Sequence, residues 1–208
     1  MNTTAPTEPL RAGDVFDALP PDPIEPFRSW FADARATGVR DPGALALATV
    51  DGAGRPSCRI VQVAEVRPEG LVFTSHSDSR KGRDIAATGR AAGVLYWRES
   101  SRQVTVAGPA YPLPAAESDA FWNARPATTH PMSVAAHQSA PLDDEQDLRA
   151  RAAQLGQHGG PLPRPDGFVA YLLMPDEVQF WQAGADRLHR RLRYERTSGG
   201  WTVTRLQP

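Results

Sequence analysis

Residues 44–77 read ALALATV, DGAGRP, SCRIVQVAEV, RPEG and LVFTSHS. Three apolar or alternating runs are joined by connections of six and four residues rich in Gly, Pro and Asp. A parallel strand pair needs a crossover of about a dozen residues or more, so these runs are antiparallel neighbours. That one feature excludes a doubly wound parallel sheet and points to a meander or small barrel. AGVLYWRE (92–99) and RQVTVAGPAY (102–111) extend the pattern. After a helical middle, strands return with GFVAYLLMP, VQFWQAG and RLHRRLRYER, and a Gly199-Gly200 turn leads into WTVTRLQP.

Helical spacing appears where the strand period stops. In residues 22–38, Asp22 can cap and Pro23 suits the first helical position. Ile24, Phe27, Trp30, Phe31 and Ala34 then recur on one face until Gly38. A short helix is predicted over DSRKGRDIAAT (78–88), capped by Asp78 or Ser79. Three more are predicted over PAAESDAFWNARP, THPMSVAAHQ and DDEQDLRARAAQL. Residues 1–21, with Pro6, Pro9, Pro20 and Pro21, read as a flexible arm, leaving 22–208 as a single domain.

The 208 residues carry 23 basic and 24 acidic side chains, a net charge of -1. That balance argues against a polyanion-binding surface. No apolar run approaches a membrane span, and the first residues lack a signal-peptide pattern. Cys58 is the only cysteine, which rules out an intrachain disulfide and makes the cytoplasm the expected setting. A lone cysteine beside a strand reads as a small buried hydrophobe. No GxxxxGK[ST], HExxH, CxxC or GxSxG is present. Gly52 and Gly54 sit in a hairpin turn without a following helix, so the dinucleotide fingerprint fails. His130 and His137 lack a third ligand, and no metal is expected.

Two anion-holding candidates remain. Ser79, Arg80 and Lys81 fall at a strand-to-helix junction, where free backbone N–H groups suit a phosphate; a solvated helix start explains them equally well. In RLHRRLRYER, strand alternation puts Arg187, His189, Arg191 and Arg193 on one face, roughly 6–7 Å between neighbours. Leu188, Arg190, Leu192 and Tyr194 fall on the inward face. The cationic row suits two anionic groups, with Trp181 beside it for a flat ligand; the bland alternative is a charged outer face balanced by Asp186 and Glu195.

Taken together, RIV (59–61), SRKGRD (79–84), YWRESSRQV (96–104), RP (125–126), QS (138–139) and W-x5-RLHxR (181–191) with the terminal RLQP resemble the pyridoxine (pyridoxamine) 5′-phosphate oxidase family. The resemblance spans about residues 22–208. It implies a mainly β fold with flanking helices, an antiparallel six-stranded FMN-binding split barrel, and a homodimer with FMN at the subunit interface. By position, the flavin falls to Arg59, Ile60 and Val61, to Thr74 and Ser75, and to Arg80 and Lys81 at its phosphate. Gln103, Gln138 and Ser139, and Trp181 and Arg191, complete that set. The substrate side falls to Phe121, Trp122, Arg125 and Thr129, with Arg187 and His189.

The departures from the vitamin B6 oxidases are specific. Their substrate-phosphate lysine is Ala64 here, their Tyr-Phe pair is Phe121-Trp122, and a serine contact is Thr129. ATTHPMS (127–133), GPLPRPDG (160–167) and RLHRRLRYER are instead similar to the phenazine-biosynthesis branch of the family. The implied reaction is oxidation of a reduced phenazine carboxylate or dicarboxylate toward the aromatic phenazine, with O2 as final acceptor. His189 is the candidate proton acceptor or a carboxylate binder, with binding favoured over base catalysis. The alternatives are a true pyridoxine/pyridoxamine 5′-phosphate oxidase and a non-enzymatic barrel that stores flavin or binds nucleic acid.

Overall fold

A computed structural model describes residues 15–157 and 159–208. Strands β1 (Ala44–Val50), β2 (Pro56–Arg67) and β3 (Gly70–His76) form the expected antiparallel meander. Alternation in β1 turns Leu45, Leu47 and Thr49 inward and leaves Ala44, Ala46 and Ala48 on the outer face. Helix α3 (Arg80–Thr88) crosses to β4 (Arg90–Trp97), which turns back into β5 (Arg102–Pro112).

Helices α4 (Ala115–Ala124), α5 (His130–Ala135) and α6 (Glu145–Gly156) intervene before β6 (Phe168–Leu173). The chain ends with β7 (Glu177–Gln182), β8 (Arg190–Thr197) and β9 (Gly200–Leu206).

Among the described residues one sheet runs β4-β1-β2-β3-β6-β5, and β5 pairs back onto β4, closing a six-stranded antiparallel barrel. β5 makes the split. One edge pairs with β4, while the other pairs with β7 over Arg102–Ala107 and with β6 over Ala110–Pro112. Gly108 lies at the switch, where a Cβ would stand 2.3 Å from the Met174 carbonyl oxygen. Only glycine lets the 174–176 segment pass so close to β5. β8 and β9 continue outward from β7.

Helix α2 (Ile24–Ala36) begins as expected, with the Asp22 carboxylate accepting the Ile24 N–H at 2.8 Å. Its Phe27, Trp30 and Phe31 enter the core, Trp30 meeting Phe180 edge-on at 5.2 Å. Trp97 buries its ring and donates Nε1–H to the Pro42 carbonyl, so no polar atom of the indole is stranded.

Four expectations are corrected. The arm predicted over 1–21 gives way at Val15–Ala18 to a helical turn, α1; residues 1–14 lie outside the described residues. Val15 and Phe16 are buried there, Phe16 beneath the Arg190 guanidinium at 4.5 Å, and Asp17 pairs with Arg190 at 2.6 Å. Apolar burial and an ion pair therefore offset the ordering cost that its composition disfavours. β8 starts at Arg190, not Arg187, because Arg187 adopts a left-handed φ of 67°. Leu188, expected inside, is 65% exposed, whereas Leu192 and Tyr194 are buried as expected. Cys58 is exposed: it lies on the outer face of β2, opposite Ala48.

Candidate functional site

A pocket of about 540 Å³ opens between β2, β3, the start of α3 and the 138–139 turn. Ser79 caps α3 by accepting the Gly82 N–H at 3.2 Å, as one of the two candidate caps should. Gly82 itself packs so tightly on the preceding turn that a Cβ would lie 2.4 Å from the Ser77 carbonyl oxygen. That close approach draws the helix start against β3 and carries Lys81 into the pocket wall.

Lys81 is 7% exposed and donates Nζ–H bonds to Ser75 Oγ (2.8 Å), Gln138 Oε1 (2.9 Å) and Ser79 Oγ (3.3 Å). All three acceptors are neutral. Burial, and then the nearby Arg59, hold its pKa below the ordinary lysine value. The Arg80 backbone N–H donates to Ser139 Oγ, and its guanidinium has no partner among the described residues. Burial also lowers the Arg59 pKa. None of Arg59, Arg80 and Lys81 has a carboxylate at ion-pair distance among the described residues. Three converging cations without a direct counter-ion make a site for a multiply charged anion, and a phosphate fits both the charge and the N–H donors.

The twelve expected cofactor residues separate into two groups. Arg59, Ile60 and Val61, Thr74 and Ser75, Arg80 and Lys81, and Gln138 and Ser139 all line the pocket. Gln103, Trp181 and Arg191 do not. They form a row in register across β5, β7 and β8, with Gln103 opposite Trp181 and Trp181 opposite Arg191. The outer sheet face between row and pocket carries Ala46, Ala48, Ala92 and Val94, with Ile60 (63%) and Tyr96 (56%) exposed.

The expected substrate residues are also dispersed. Trp122 is 1% exposed, stacked on His130 at 4.1 Å, with Nε1–H donated to the Leu162 carbonyl. It is a core residue, which corrects its assignment to a ligand slot. His130 is spent on the same packing: Nδ1 accepts the Leu162 N–H, so Nε2–H donates to the Trp122 carbonyl. Phe121 sits against the Arg67 guanidinium at 6.0 Å, and Thr129 donates to the Pro126 carbonyl. Arg125 lies 5.2 Å from the ring centroids of both Trp122 and Phe168, bonded to Ser133 Oγ, with its pKa lowered by burial. It is a further half-buried cation with no carboxylate at ion-pair distance among the described residues.

Arg187 and His189 occupy the loop before β8, so the single strand face expected for Arg187, His189, Arg191 and Arg193 does not form. His189 packs on Trp181 at 5.0 Å and accepts the Gly184 N–H through Nδ1. Its Nε2 therefore carries the proton in that tautomer, and this N–H has no protein partner among the described residues. Arg193 pairs with Glu195, and Arg196 covers Trp201 at 4.3 Å; both are structural. Ala64 falls at the register shift of β2 against β3 between Val63 and Glu65.

Residues 31–159 match the family model described as pyridoxamine 5′-phosphate oxidase. The chain belongs to the pyridoxamine 5′-phosphate oxidase family. Residues 168–208 match the companion model described as the pyridoxine 5′-phosphate oxidase C-terminal dimerisation region, which contains Trp181 and Arg191.

Within the family, the chain is 48% identical to the dihydrophenazinedicarboxylate synthase of Burkholderia lata over 93% of this chain and 91% of that one. It is 40% identical to the pyridoxine/pyridoxamine 5′-phosphate oxidase of Rubrobacter xylanophilus, over 97% and 94%. The crystal structure of PhzG from Burkholderia lata in complex with tetrahydrophenazine-1-carboxylic acid superposes with a TM-score of 0.92. That match is 47% identical and covers 95% of this chain and 98% of that one. Sequence reasoning missed Ser57, Cys58 and Gln62 in the pocket lining and, behind the wall, Thr49 and Asp84. A buried acid on the inner face of a short helix was the available signal for Asp84.

Proposed function

We propose that the protein is an FMN-dependent oxidase of phenazine biosynthesis. It oxidises a reduced phenazine carboxylate or dicarboxylate toward the aromatic ring system, acts as a homodimer, and passes electrons to O2. The observation that carries this reading is the cationic pocket on β2, β3 and α3, in a chain so close to a protein crystallised with a tetrahydrophenazine carboxylate.

Arg59, Arg80 and Lys81 would hold the FMN phosphate, with Gln138 and Ser139 at the rim. Gln103, Trp181 and Arg191 would complete the site from a second copy, since they lie outside the pocket of their own chain. The small side chains of β1 and β4, with exposed Ile60 and Tyr96, suit the face on which two sheets would meet. Bound there, FMN supplies a two-electron acceptor whose hydrogens end on O2 as hydrogen peroxide.

The chain's own work is binding and orientation. Arg187 supplies a fork for a substrate carboxylate, and His189 adds its Nε2–H to the same group. With Nδ1 already accepting from Gly184, His189 is arranged as a donor at Nε2, which favours binding over proton abstraction. Aromatisation drives the oxidation, so a strong base is not required. A second substrate carboxylate has a partner in Arg125, whose guanidinium is held by Ser133. Ala64 supplies no cation for a pyridoxine phosphate.

The test is O2 uptake by purified protein supplied with a tetrahydrophenazine carboxylate. Uptake well above the uncatalysed rate, with an aromatic product, is expected. Uptake equal to autoxidation by a yellow, flavin-loaded protein would contradict the reading.

A further inference from the structure

Behind the pocket wall lies a buried carboxylate with no cation bonded to it directly among the described residues. Asp84, on α3, is 4% exposed. Its Oδ2 accepts two hydroxyl protons, from Thr49 Oγ1 at 2.6 Å and from Ser57 Oγ at 2.9 Å. The same two hydroxyl oxygens accept from Arg59, Thr49 from Nη1 at 2.7 Å and Ser57 from Nη2. A guanidinium only donates and a carboxylate only accepts, so the bonds at the two charged ends each run one way, Arg59 to the hydroxyls and the hydroxyls to Asp84, while the two hydroxyls also lie 3.2 Å from each other. The array is an ion pair relayed through two hydroxyls, spanning β1, β2 and α3.

Its consequence is electrostatic. Arg59 shares the pocket with Arg80 and Lys81, and both neighbours repel it. Asp84 is the largest of the charges that draw it back. With Nη1 also bonded to the Leu47 carbonyl, these contacts occupy three of the five guanidinium N–H groups. The Nε–H and one Nη2–H remain for a ligand. We propose that Asp84 is the positioning residue of the anion site: through Thr49 and Ser57 it fixes the Arg59 guanidinium toward the phosphate of the cofactor. This rests on the flavin reading above.

The test measures dissociation constants of FMN and of riboflavin, which lacks the phosphate, by flavin fluorescence on flavin-stripped full-length protein. Asp84→Asn keeps the shape and removes the charge; it is expected to weaken FMN about tenfold while changing riboflavin less than about twofold. Thr49→Val should reproduce part of that selective loss and Thr49→Ser should restore the wild-type preference. Equal weakening of both flavins, or an unchanged preference in Asp84→Asn, overturns the proposal. Should Asp84→Asn fail to fold, Ser57→Ala decides: a selective loss of FMN affinity supports the relay and an unchanged preference sinks it. A wild-type protein that does not prefer FMN to riboflavin instead refutes the flavin reading, and this proposal with it.

Discussion

Trp181 stands directly across from Gln103 on the neighbouring strand, and both lie outside the pocket that Lys81 and Arg80 line. Residues expected to touch one flavin are therefore divided between two places on one chain. If two copies share each site, defects in the two places must complement. A mixture of Lys81→Ala and Trp181→Ala protein, unfolded and refolded together, should recover about a quarter of wild-type activity, since half of the dimers are mixed and each has one intact site. Either variant alone should be nearly inactive. Absence of any recovery would place the row outside the cofactor site.

The Arg80 guanidinium has no partner to lose among the described residues, so its removal should cost affinity and not stability. Arg80→Ala is expected to raise the FMN dissociation constant about ten- to hundredfold, the value of a charge-assisted hydrogen bond. The melting temperature of the flavin-free protein should stay within about a degree or two, as for surface changes generally. Unchanged FMN affinity would contradict the phosphate assignment.

Trp122 makes the opposite prediction. Its ring is buried against His130 and Phe168, so Trp122→Ala should lower unfolding free energy by about 3–5 kcal/mol in chemical denaturation. A variant of normal stability with only a raised KM would return Trp122 to the substrate slot.

His76 is half-buried beside Phe168, and burial chiefly lowers its pKa, partly opposed by Asp78. Arg125, Lys81 and His137 lower it further. With the folded value below the unfolded 6.5, the unfolded chain binds the proton more readily. The His76 contribution is thus complete above pH 6.5 and is lost as pH falls through the folded value. Denaturant midpoints measured across mildly acidic pH should fall more steeply for wild type than for His76→Asn. Parallel slopes would remove His76 as the cause.

The meander, α2 and the Ser79 cap were legible because alternation, helical spacing and capping are local properties. The closure of β5 onto β4, and the insertion of β6 between β3 and β5, depend on pairings between distant segments that no local pattern encodes. Arg187 was misplaced for a related reason. The Asp186 and His189 side chains bond backbone N–H groups within the loop and hold a left-handed turn in a run whose composition reads as strand. Most of the pocket was visible through the resemblance, but Asp84 was not. Its role is defined by two hydroxyls on other elements, Thr49 at 35 positions and Ser57 at 27 positions away.

Ala64 links the register shift in β2 to substrate choice. Ala64→Lys should raise kcat/KM for pyridoxine 5′-phosphate about tenfold or more, by restoring a charge-assisted contact to the phosphate. No gain would mean that this position is aimed away from the substrate.

The central claim is tested most directly by kcat/KM for a tetrahydrophenazine carboxylate and for pyridoxine 5′-phosphate, measured side by side on the same FMN-loaded wild-type preparation. A ratio strongly favouring the phenazine precursor is predicted. Faster turnover of pyridoxine 5′-phosphate to the aldehyde would contradict the account and make the protein a vitamin B6 oxidase.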